Sequence, residues 1–282
     1  MLRHHRTNTP TWCPGCGDFA IWTAFKDAAR EAGWSNKNSA IVAGIGCHGH
    51  IVNFFELTSF EGLHGLAIPV ASGIKMANHR LNVFVFTGDG DNLAEGGNHF
   101  LHAARRNEDL TIILHDNAVY GLTTGQTSPR SPKGYKSKST PTGNINEPIH
   151  PLRVALAAGA TFLARAYSGD IPALAKLMIR ANAHPGFAVL QVLQPCVTFN
   201  KTYTHIFFQK NIYALGPEYD PTDKAAAFQK TLEWGERQIP VGVIYEVKEP
   251  THEAEIAVIA DRPLIQQPPR LKQFHEILAQ YE

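Results

Sequence analysis

The sequence has no excess of either charge. Its 282 residues include 26 Lys and Arg against 25 Asp and Glu, a formal net charge of +1. Without a broad basic surface, neither nucleic acid nor an anionic membrane is an expected partner. Charged residues make up only 18% of the chain. This fraction is slightly low for a globular protein, as expected if a partner protein covers part of the surface.

Long apolar runs are also missing. No stretch approaches the roughly 20 apolar residues that cross a bilayer. The first twelve residues, MLRHHRTNTPTW, lack the apolar segment of a signal peptide. We therefore expect a cytoplasmic protein without membrane attachment.

Cysteine is scarce, with four in the whole chain. Four are too few for a secreted disulfide scaffold of this length. In a reducing compartment, spaced cysteines more often bind a metal or take part in redox chemistry. All four are therefore candidate functional residues.

What the sequence does contain is a regular alternation of short β-rich runs with segments long enough for helices. The β-rich runs lie at residues 40–46, 82–88, 110–116, 161–165 and 187–193. One helix is expected just after Cys16, and the candidate crossover helices are 67–79, 93–106, 151–159 and 171–183. This alternation predicts an α/β fold with a doubly wound, mostly parallel sheet. Because the pattern weakens near residue 200, we expect a main domain over 1–200 and a C-terminal extension over 201–282, packed on that domain or on a partner subunit.

A candidate phosphate site begins where the run at 82–88 meets the segment GDGD. Its glycines let the backbone approach a phosphate, and the next helix would direct N–H groups at the same place. The following run ends near Asn117. If the two runs are neighbouring strands, the Asp89 carboxylate, the Asn117 amide and a backbone carbonyl are the oxygen ligands that Mg²⁺ prefers, with a diphosphate completing its coordination. Each segment alone is also compatible with an ordinary turn or strand cap, but the pair favours a site.

The four cysteines are compatible with one metal centre. Cys13 and Cys16 have the spacing of two ligands from a single turn, and Cys47 and Cys196 each follow a predicted strand. Because the carboxyl ends of parallel strands meet at one edge, the thiolates are expected to converge, as a 4Fe-4S cluster or a four-cysteine zinc site requires. A CPGC segment alone is also compatible with a thioredoxin-like redox pair, and Cys47 or Cys196 alone with a buried apolar cysteine.

Four segments carry a family resemblance: TWCPGCGD, GDGDNLAEGGNHFLHAARRN, DNAVYGLTTGQTSP and QPCVTFN. They resemble the β subunit of the 2-oxoacid:ferredoxin oxidoreductases, and most of all its 2-oxoglutarate-type members. The resemblance covers about the first 200 residues. It implies a thiamine diphosphate-binding fold of the diphosphate type that holds thiamine diphosphate, Mg²⁺ and one 4Fe-4S cluster.

The resemblance also implies residue roles. Mg²⁺ would be bound by Asp89, Asn117 and the backbone carbonyl of Val119. The cluster would be bound by Cys13, Cys16, Cys47 and Cys196. The residues expected around the cofactor are Gly88, Gly90, Asp91, Gly121, Leu122 and Thr123.

The implied reaction is the coenzyme A-dependent oxidative decarboxylation of a 2-oxoacid. Electrons would pass through the cluster to ferredoxin, and the reverse reaction would fix CO₂. Only a diphosphate-binding domain is evident at this chain length. An α subunit is therefore expected to supply the glutamate that activates the pyrimidine ring of thiamine, in an assembly of two αβ pairs.

Two histidines are candidates for substrate contact and catalysis. His50 lies close to Cys47, where family members acting on dicarboxylates often carry Lys or Arg, and His64 lies in a segment with Leu66 in place of the family's usual Arg. An imidazole can still pair with a second carboxylate, so we expect 2-oxoglutarate rather than pyruvate as the substrate. A lone histidine is also compatible with a structural role. Three alternatives stay open: a pyruvate-type member, a non-redox thiamine diphosphate decarboxylase or synthase subunit with structural zinc, and a non-catalytic scaffold.

Residues 121–148 are rich in Gly, Pro, Ser and Thr and predict a long loop. The loop contains four cations: Arg130, Lys133, Lys136 and Lys138. They are compatible with guidance of an anionic partner such as an acidic ferredoxin, and equally with a solvated loop.

Overall fold

One eight-stranded sheet organises the computed structural model, which describes residues 9–236, 238–268 and 271–281. Its strands are β1 (Ser39–Ala43), β2 (Thr58–Glu61), β3 (Asn82–Gly88), β4 (Thr111–Asp116), β5 (Phe162–Tyr167), β6 (Ala188–Leu193), β7 (Ile212–Ala214) and β8 (Ile239–Glu246). Their order across the sheet is β2-β1-β3-β4-β6-β5-β8-β7. All neighbours are parallel except β5 and β8. The predicted doubly wound, mostly parallel α/β fold is confirmed.

Helices occupy both faces of this sheet. They are α1 (Gly17–Ala32), α2 (Ala67–Ala77), α3 (Gly97–Arg106), α4 (Pro151–Ala158), α5 (Ile171–Ala183), α6 (His205–Asn211), α7 (Lys224–Leu232), α8 (His252–Glu255) and α9 (Leu271–Leu278). Short 3₁₀ turns lie at Cys47–Asn53 and Leu264–Gln266. The helix predicted over 93–106 is divided, because Asp91–Glu95 form a π-helical turn before α3 begins. Within the described ranges, no helix combines the length and apolar character needed to cross a membrane.

The core has two apolar layers, one on each face of the sheet. Phe84 and Phe86 of β3 pack in the layer that contains α1 and α5, whereas Val83 and Val85 pack in the layer with α2, α3 and α4. Successive side chains of a strand point to opposite faces. Since both faces are covered, the central strands are apolar throughout instead of alternating.

The carboxyl ends of β1, β3, β4 and β6 lie at one edge of the sheet. The chain leaves β1 for β2 on one side but leaves β3 for β4 on the other. Open α/β sheets bind ligands at such a switch point. The predicted diphosphate segment follows β3 and therefore lies at this position.

Two parts of the sheet differ from the sequence-based expectation. All four residues of β2 are exposed, so this edge strand has no buried face that a sequence pattern could indicate. The region after residue 200 is expected to pack on the main domain or on a partner, yet it contributes β7 and β8 to the same sheet, and β8 pairs antiparallel with β5 across a register shift. The main domain and the extension therefore share one sheet, while the boundary at residue 200 stays a prediction. Residues 1–8, on which the expectation about a signal peptide partly depends, lie outside the described ranges.

Candidate functional site

The turn after β3 packs closely against two aromatic side chains. A Cβ atom at Gly88 would lie 2.8 Å from the His48 ring, and one at Gly90 would lie 2.3 Å from the Tyr120 ring. Neither position has room for a side chain. The neighbouring rings therefore require glycine at both positions, whereas the backbone does not, since neither glycine is in the left-handed region.

Asp89, between those glycines, is a buried acidic residue. The Ser128 hydroxyl donates a hydrogen bond to its Oδ2 atom. Burial and the nearby charge of Asp116 raise the pKa of Asp89 to about 8, against the opposing effect of the Ser128 hydrogen bond. A divalent cation would reverse this shift by stabilising the ionised form. The environment of Asp89 thus fits a metal ligand.

The turn after β4 brings further oxygen atoms to the same place. The Asn117 side-chain oxygen accepts a hydrogen bond from the Val119 N–H at 3.0 Å. Between them, Ala118 has a φ of 55°, in the left-handed region that only a few non-glycine residues adopt. Strain of this kind concentrates at functional sites. An amide oxygen has two lone pairs, so Asn117 keeps one for a metal ion.

A small cavity of about 70 Å³ collects the predicted diphosphate residues and is called the diphosphate cavity below. Its lining includes all nine predicted cofactor residues: Gly88, Asp89, Gly90, Asp91, Asn117, Val119, Gly121, Leu122 and Thr123. His64 also lines this cavity, but His50 does not. The structure therefore brings the two predicted segments together and separates the two candidate histidines.

Asp91 lines the diphosphate cavity, but its oxygens already have partners within the chain. Oδ1 accepts hydrogen bonds from the N–H groups of Ile45 at 3.1 Å and Gly65 at 2.8 Å, and Oδ2 accepts one from the Thr87 hydroxyl at 2.7 Å. Burial alone would raise its pKa, but these bonds and the neighbouring His48 hold that pKa below its usual value. Asp91 ties three segments together around the cavity.

Two residues that line the diphosphate cavity, His64 and Tyr120, form a polar cluster with Glu95. His64 Nδ1 lies 3.1 Å from a Glu95 carboxylate oxygen, and the Tyr120 hydroxyl donates to the same carboxylate at 3.2 Å. About a third of the His64 side chain is exposed. Sequence reasoning missed Glu95, because nothing in its local pattern links it to a residue 25 positions away along the chain.

His48 is a second residue that the sequence reasoning did not select. It is buried, and its Nε2 atom accepts a hydrogen bond from the Gly88 N–H at 3.0 Å. The imidazole fixes the start of the turn at the end of β3. Its position within GCHGH was the only available signal, and that signal did not distinguish it from His50.

A neighbouring cavity of about 250 Å³ is lined by all four cysteines, and we call it the cysteine cavity. Cys13 and Cys16 precede α1, with the Cys16 N–H donating to the Cys13 carbonyl at 2.9 Å. Cys47 opens the 3₁₀ turn after β1, and Cys196 follows β6. All four are free thiols. His50 lines this cavity too.

Two of the cysteine thiols, those of Cys16 and Cys47, are in surroundings that favour the protonated form. Burial, followed by the charge of Asp18, raises the pKa of Cys16 far above its usual value and that of Cys47 to about 12. Metal binding removes such protons. In the part of the chain that the structure describes, no group of three or more His, Cys, Asp or Glu side chains is placed to hold a single metal ion. The thiols surround a cavity and do not meet at one point.

The two cavities share a wall. Cys47, Asn117, Gly121 and Leu122 line both of them. A Cβ atom at Gly121 would lie 3.6 Å from the sulfurs of both Cys47 and Cys196. The Gly121 backbone therefore lies in the wall between the two cavities, beside two of the cysteine sulfurs.

One expectation about the long loop, the exposure of all four of its cations, is wrong. Arg130, predicted as one of four exposed cations, is buried, with its Nε atom 2.9 Å from Asp116 Oδ2 and its guanidinium over the Trp234 ring. A cation inside the protein is stable only when it is paired, and Asp116 at the end of β4 supplies that partner. Lys133 is exposed but pairs with Glu147 at 2.8 Å. The cationic surface of the loop is smaller than its sequence indicates.

The chain is similar to known proteins over most of its length. Residues 44–192 match the family model described as thiamine pyrophosphate enzyme, C-terminal TPP binding domain, and residues 196–261 match the C-terminal model of the pyruvate ferredoxin oxidoreductase beta subunit. The 2-oxoacid:ferredoxin oxidoreductase subunit beta of a Sulfolobus species is 46% identical over 248 residues, covering 83% of this chain and 81% of that protein. The 2-oxoglutarate oxidoreductase subunit KorB of Mycobacterium tuberculosis is 43% identical over 189 residues, covering 67% of this chain and 51% of that protein.

A solved structure extends the likeness to the whole fold. It is the 2-oxoglutarate:ferredoxin oxidoreductase from Magnetococcus marinus with 2-oxoglutarate, coenzyme A and succinyl-CoA bound. The TM-score is 0.90 at 34% sequence identity, covering 97% of this chain and 94% of that one.

Proposed function

Because the chain belongs to the β subunits of the 2-oxoacid:ferredoxin oxidoreductases, we propose that it acts with an α subunit on 2-oxoglutarate. The proposed reaction is coenzyme A-dependent oxidative decarboxylation to succinyl-CoA. One 4Fe-4S cluster passes the electrons to ferredoxin, and the reverse reaction fixes CO₂. The observation that supports this proposal is the wall shared by the diphosphate and cysteine cavities, since a cofactor in the first cavity would lie directly beside a redox centre in the second.

In this proposal the diphosphate cavity holds Mg²⁺ through Asp89, Asn117 and the backbone carbonyl of Val119. The raised pKa of the buried Asp89 carboxyl group supports the role, because a cation would keep it ionised where burial alone does not. Carboxylate, amide and carbonyl oxygens are ligands of the type that Mg²⁺ takes. The π-helical turn and α3 follow the same segment.

The cysteine cavity holds the cluster through Cys13, Cys16, Cys47 and Cys196. A structural zinc ion needs four sulfurs about 2.3 Å from one point. The four cysteines line a cavity of about 250 Å³, which has room for a larger centre such as a cluster of four irons and four sulfides. The redox enzyme is therefore preferred to the zinc-containing alternative.

When bound, thiamine diphosphate supplies the nucleophilic carbon for the keto group, and the cluster supplies a one-electron acceptor. The residues of this chain position and separate these groups. The Gly121 backbone lies in the wall between the two cavities, and Asp91 fixes the surrounding segments. The glutamate expected on the pyrimidine side comes from the α subunit and makes the site complete.

For the substrate, His50 is the better candidate for holding the second carboxylate. His64 lies beside the carboxylates of Glu95 and Asp91, at 3.1 and 3.7 Å, and these would repel a substrate carboxylate. His50 is half-buried beside Cys47 on the cysteine-cavity side. The 2-oxoglutarate named for the Mycobacterium relative and for the Magnetococcus structure supports the choice of substrate over pyruvate.

The test uses the chain co-purified with its α subunit. Ferredoxin reduction is measured with 2-oxoglutarate, pyruvate and a branched 2-oxoacid, each with coenzyme A, together with iron, sulfide and zinc content. We expect 2-oxoglutarate to give the highest kcat/KM and the complex to contain iron and sulfide. A zinc-containing complex without ferredoxin reduction would overturn the proposed function, and a preference for pyruvate would overturn the substrate assignment.

A matched pair of variants tests His50. His50→Ala should lower the ratio of kcat/KM for 2-oxoglutarate to that for pyruvate by about ten- to a hundredfold, since a charge-assisted hydrogen bond contributes roughly 1.5–3 kcal/mol. His275→Ala, on exposed α9 and outside the linings of both cavities, should leave the ratio unchanged. Equal ratios in the parent and His50→Ala would remove His50 from the substrate site.

A further inference from the structure

Gln194 follows β6 and directs its amide at the cysteine turn. Its Nε2 atom donates a hydrogen bond to the Cys16 sulfur at 3.1 Å, and the residue is only 1% exposed. Its own backbone N–H donates to the Asp116 carbonyl at 3.0 Å, which fixes the start of the side chain at the end of the sheet. The contact joins two regions that are 178 positions apart in the chain.

The surroundings of Gln194 are shaped to admit this contact. A Cβ atom at Gly17 would lie 2.8 Å from Gln194 Cγ, so a side chain at Gly17 would displace the glutamine. The Gly17 N–H in turn donates to the Pro195 carbonyl at 3.3 Å, and this carbonyl also accepts from Gln194 Nε2 at 3.3 Å. The Gln194 amide group is therefore fixed by two acceptors, the Cys16 sulfur and the Pro195 carbonyl.

Stability of the fold does not explain a glutamine at this position. Its Oε1 atom is buried and, among the described residues, has no hydrogen-bond partner. A buried polar atom without a partner costs about 1–3 kcal/mol, whereas an apolar side chain of the same shape avoids that cost. The Nε2 group, in contrast, donates a hydrogen bond to the Cys16 sulfur.

We propose that Gln194 is a positioning residue that raises the reduction potential of the 4Fe-4S cluster by donating an N–H···S hydrogen bond to the Cys16 thiolate. The inference rests on the proposed function, since it requires the cluster. Reduction adds one electron to a centre whose ligands are already anionic. A hydrogen-bond donor at a ligand sulfur stabilises the reduced form more than the oxidised form.

Asp18 acts on the same sulfur in the opposite direction. Its Oδ2 atom lies 3.3 Å from Cys16 Sγ, and its Oδ1 atom lies 2.7 Å from His115 Nδ1. A buried carboxylate disfavours the added electron. Cys16 therefore lies between a group that raises the potential and a group that lowers it, so two substitutions should shift the potential with opposite signs.

The experiment is a reductive titration of the αβ complex with dithionite and mediators, followed by electron paramagnetic resonance, in which each cluster takes up one electron. Gln194→Leu should lower the midpoint potential, shifting the one-electron equilibrium by about tenfold, which is about 59 mV. Gln194→Glu keeps the shape but replaces the N–H donor with a carboxylate oxygen, and should lower it further. Asp18→Asn should raise it, and Gln229→Leu on exposed α7 should leave it unchanged.

The outcomes separate this inference from the proposed function. A parent complex without iron, sulfide or a cluster signal contradicts the proposed function itself. A parent complex with a cluster, and an unchanged potential in Gln194→Leu or Gln194→Glu, overturns only the role of Gln194. A lower potential in both Gln194 variants and in Asp18→Asn also overturns it, because that pattern indicates a general loosening around the cluster.

Discussion

Removing the charge of Asp89 should have opposite effects on the chain with and without its cofactor. In the unfolded chain, Asp89 releases its proton above pH about 4. In the folded chain without a cation, burial and Asp116 raise its pKa to about 8. Its contribution to stability is therefore fully present below pH 4 and is lost as the pH rises through 8. At pH 7 the cost to the folded, metal-free state is up to about 4 kcal/mol.

Asp89→Asn removes this cost. The cofactor-free αβ complex that carries the substitution should unfold at a higher temperature than the parent at pH 7, by roughly 2–4 °C for each kcal/mol gained. The difference should decrease at pH 5, where the parent carboxyl group is protonated. Asp27→Asn, on the exposed surface of α1, serves as the control and should change the midpoint little.

Adding Mg²⁺ and thiamine diphosphate should reverse the order. At a hundred times the dissociation constant, a ligand stabilises the folded state by about 2.7 kcal/mol, and only the parent should gain this amount. Thermal unfolding at two pH values, with titration calorimetry of the cofactor, measures both effects. The assignment of Asp89 fails if the variant keeps the parent's affinity for thiamine diphosphate, and the charge argument fails if the cofactor-free variant is no more stable than the parent.

Three further variants test other parts of the protein. Cys196→Ser should lower iron and sulfide content and ferredoxin reduction together, and full retention of iron would remove Cys196 from the ligand set. Arg130→Met leaves the buried Asp116 carboxylate without this cation, with the Gln191 amide still donating to it, so denaturant unfolding should show a loss of about 3–5 kcal/mol. A loss below about 1 kcal/mol would contradict the buried pair. Joint replacement of Lys136 and Lys138, both exposed, by Gln should slow ferredoxin reduction mainly at low salt if they steer an acidic partner. A salt profile equal to the parent's would favour a solvated loop.

The sheet could be predicted because each buried strand is a local apolar run. Both cavities could be predicted because parallel strands end at the same edge of the sheet. The strand predicted over 82–88 is β3 with identical bounds, since a buried parallel strand is apolar throughout. Cys47 and Cys196 were expected beside Cys13 and Cys16, because strands that run parallel finish at one edge, and the cysteine cavity collects all four.

Other features depend on partners that local patterns do not contain. Arg130 belongs to a segment of cations and prolines that is typical of a solvent-exposed loop. Its burial is explained by its pairing with Asp116 and by its contact with the Trp234 ring. The role of Gln194 depends on a sulfur that lies near the other end of the chain. The register shift between β5 and β8 likewise has no counterpart in sequence periodicity.

The four cysteines are also synthesised at widely different times, because they lie far apart along the chain. Three of them have been synthesised by residue 47, but Cys196 follows 149 residues later, after β6. During synthesis, a complete set of thiols at the cysteine cavity is thus available only once six of the eight strands exist. A metal centre bound there would close a loop of more than 180 residues, and long loops gain the most from closure. If that centre is the proposed iron–sulfur cluster, chains made in cells short of iron would lack this closure, which would link the lifetime of the protein to the iron supply.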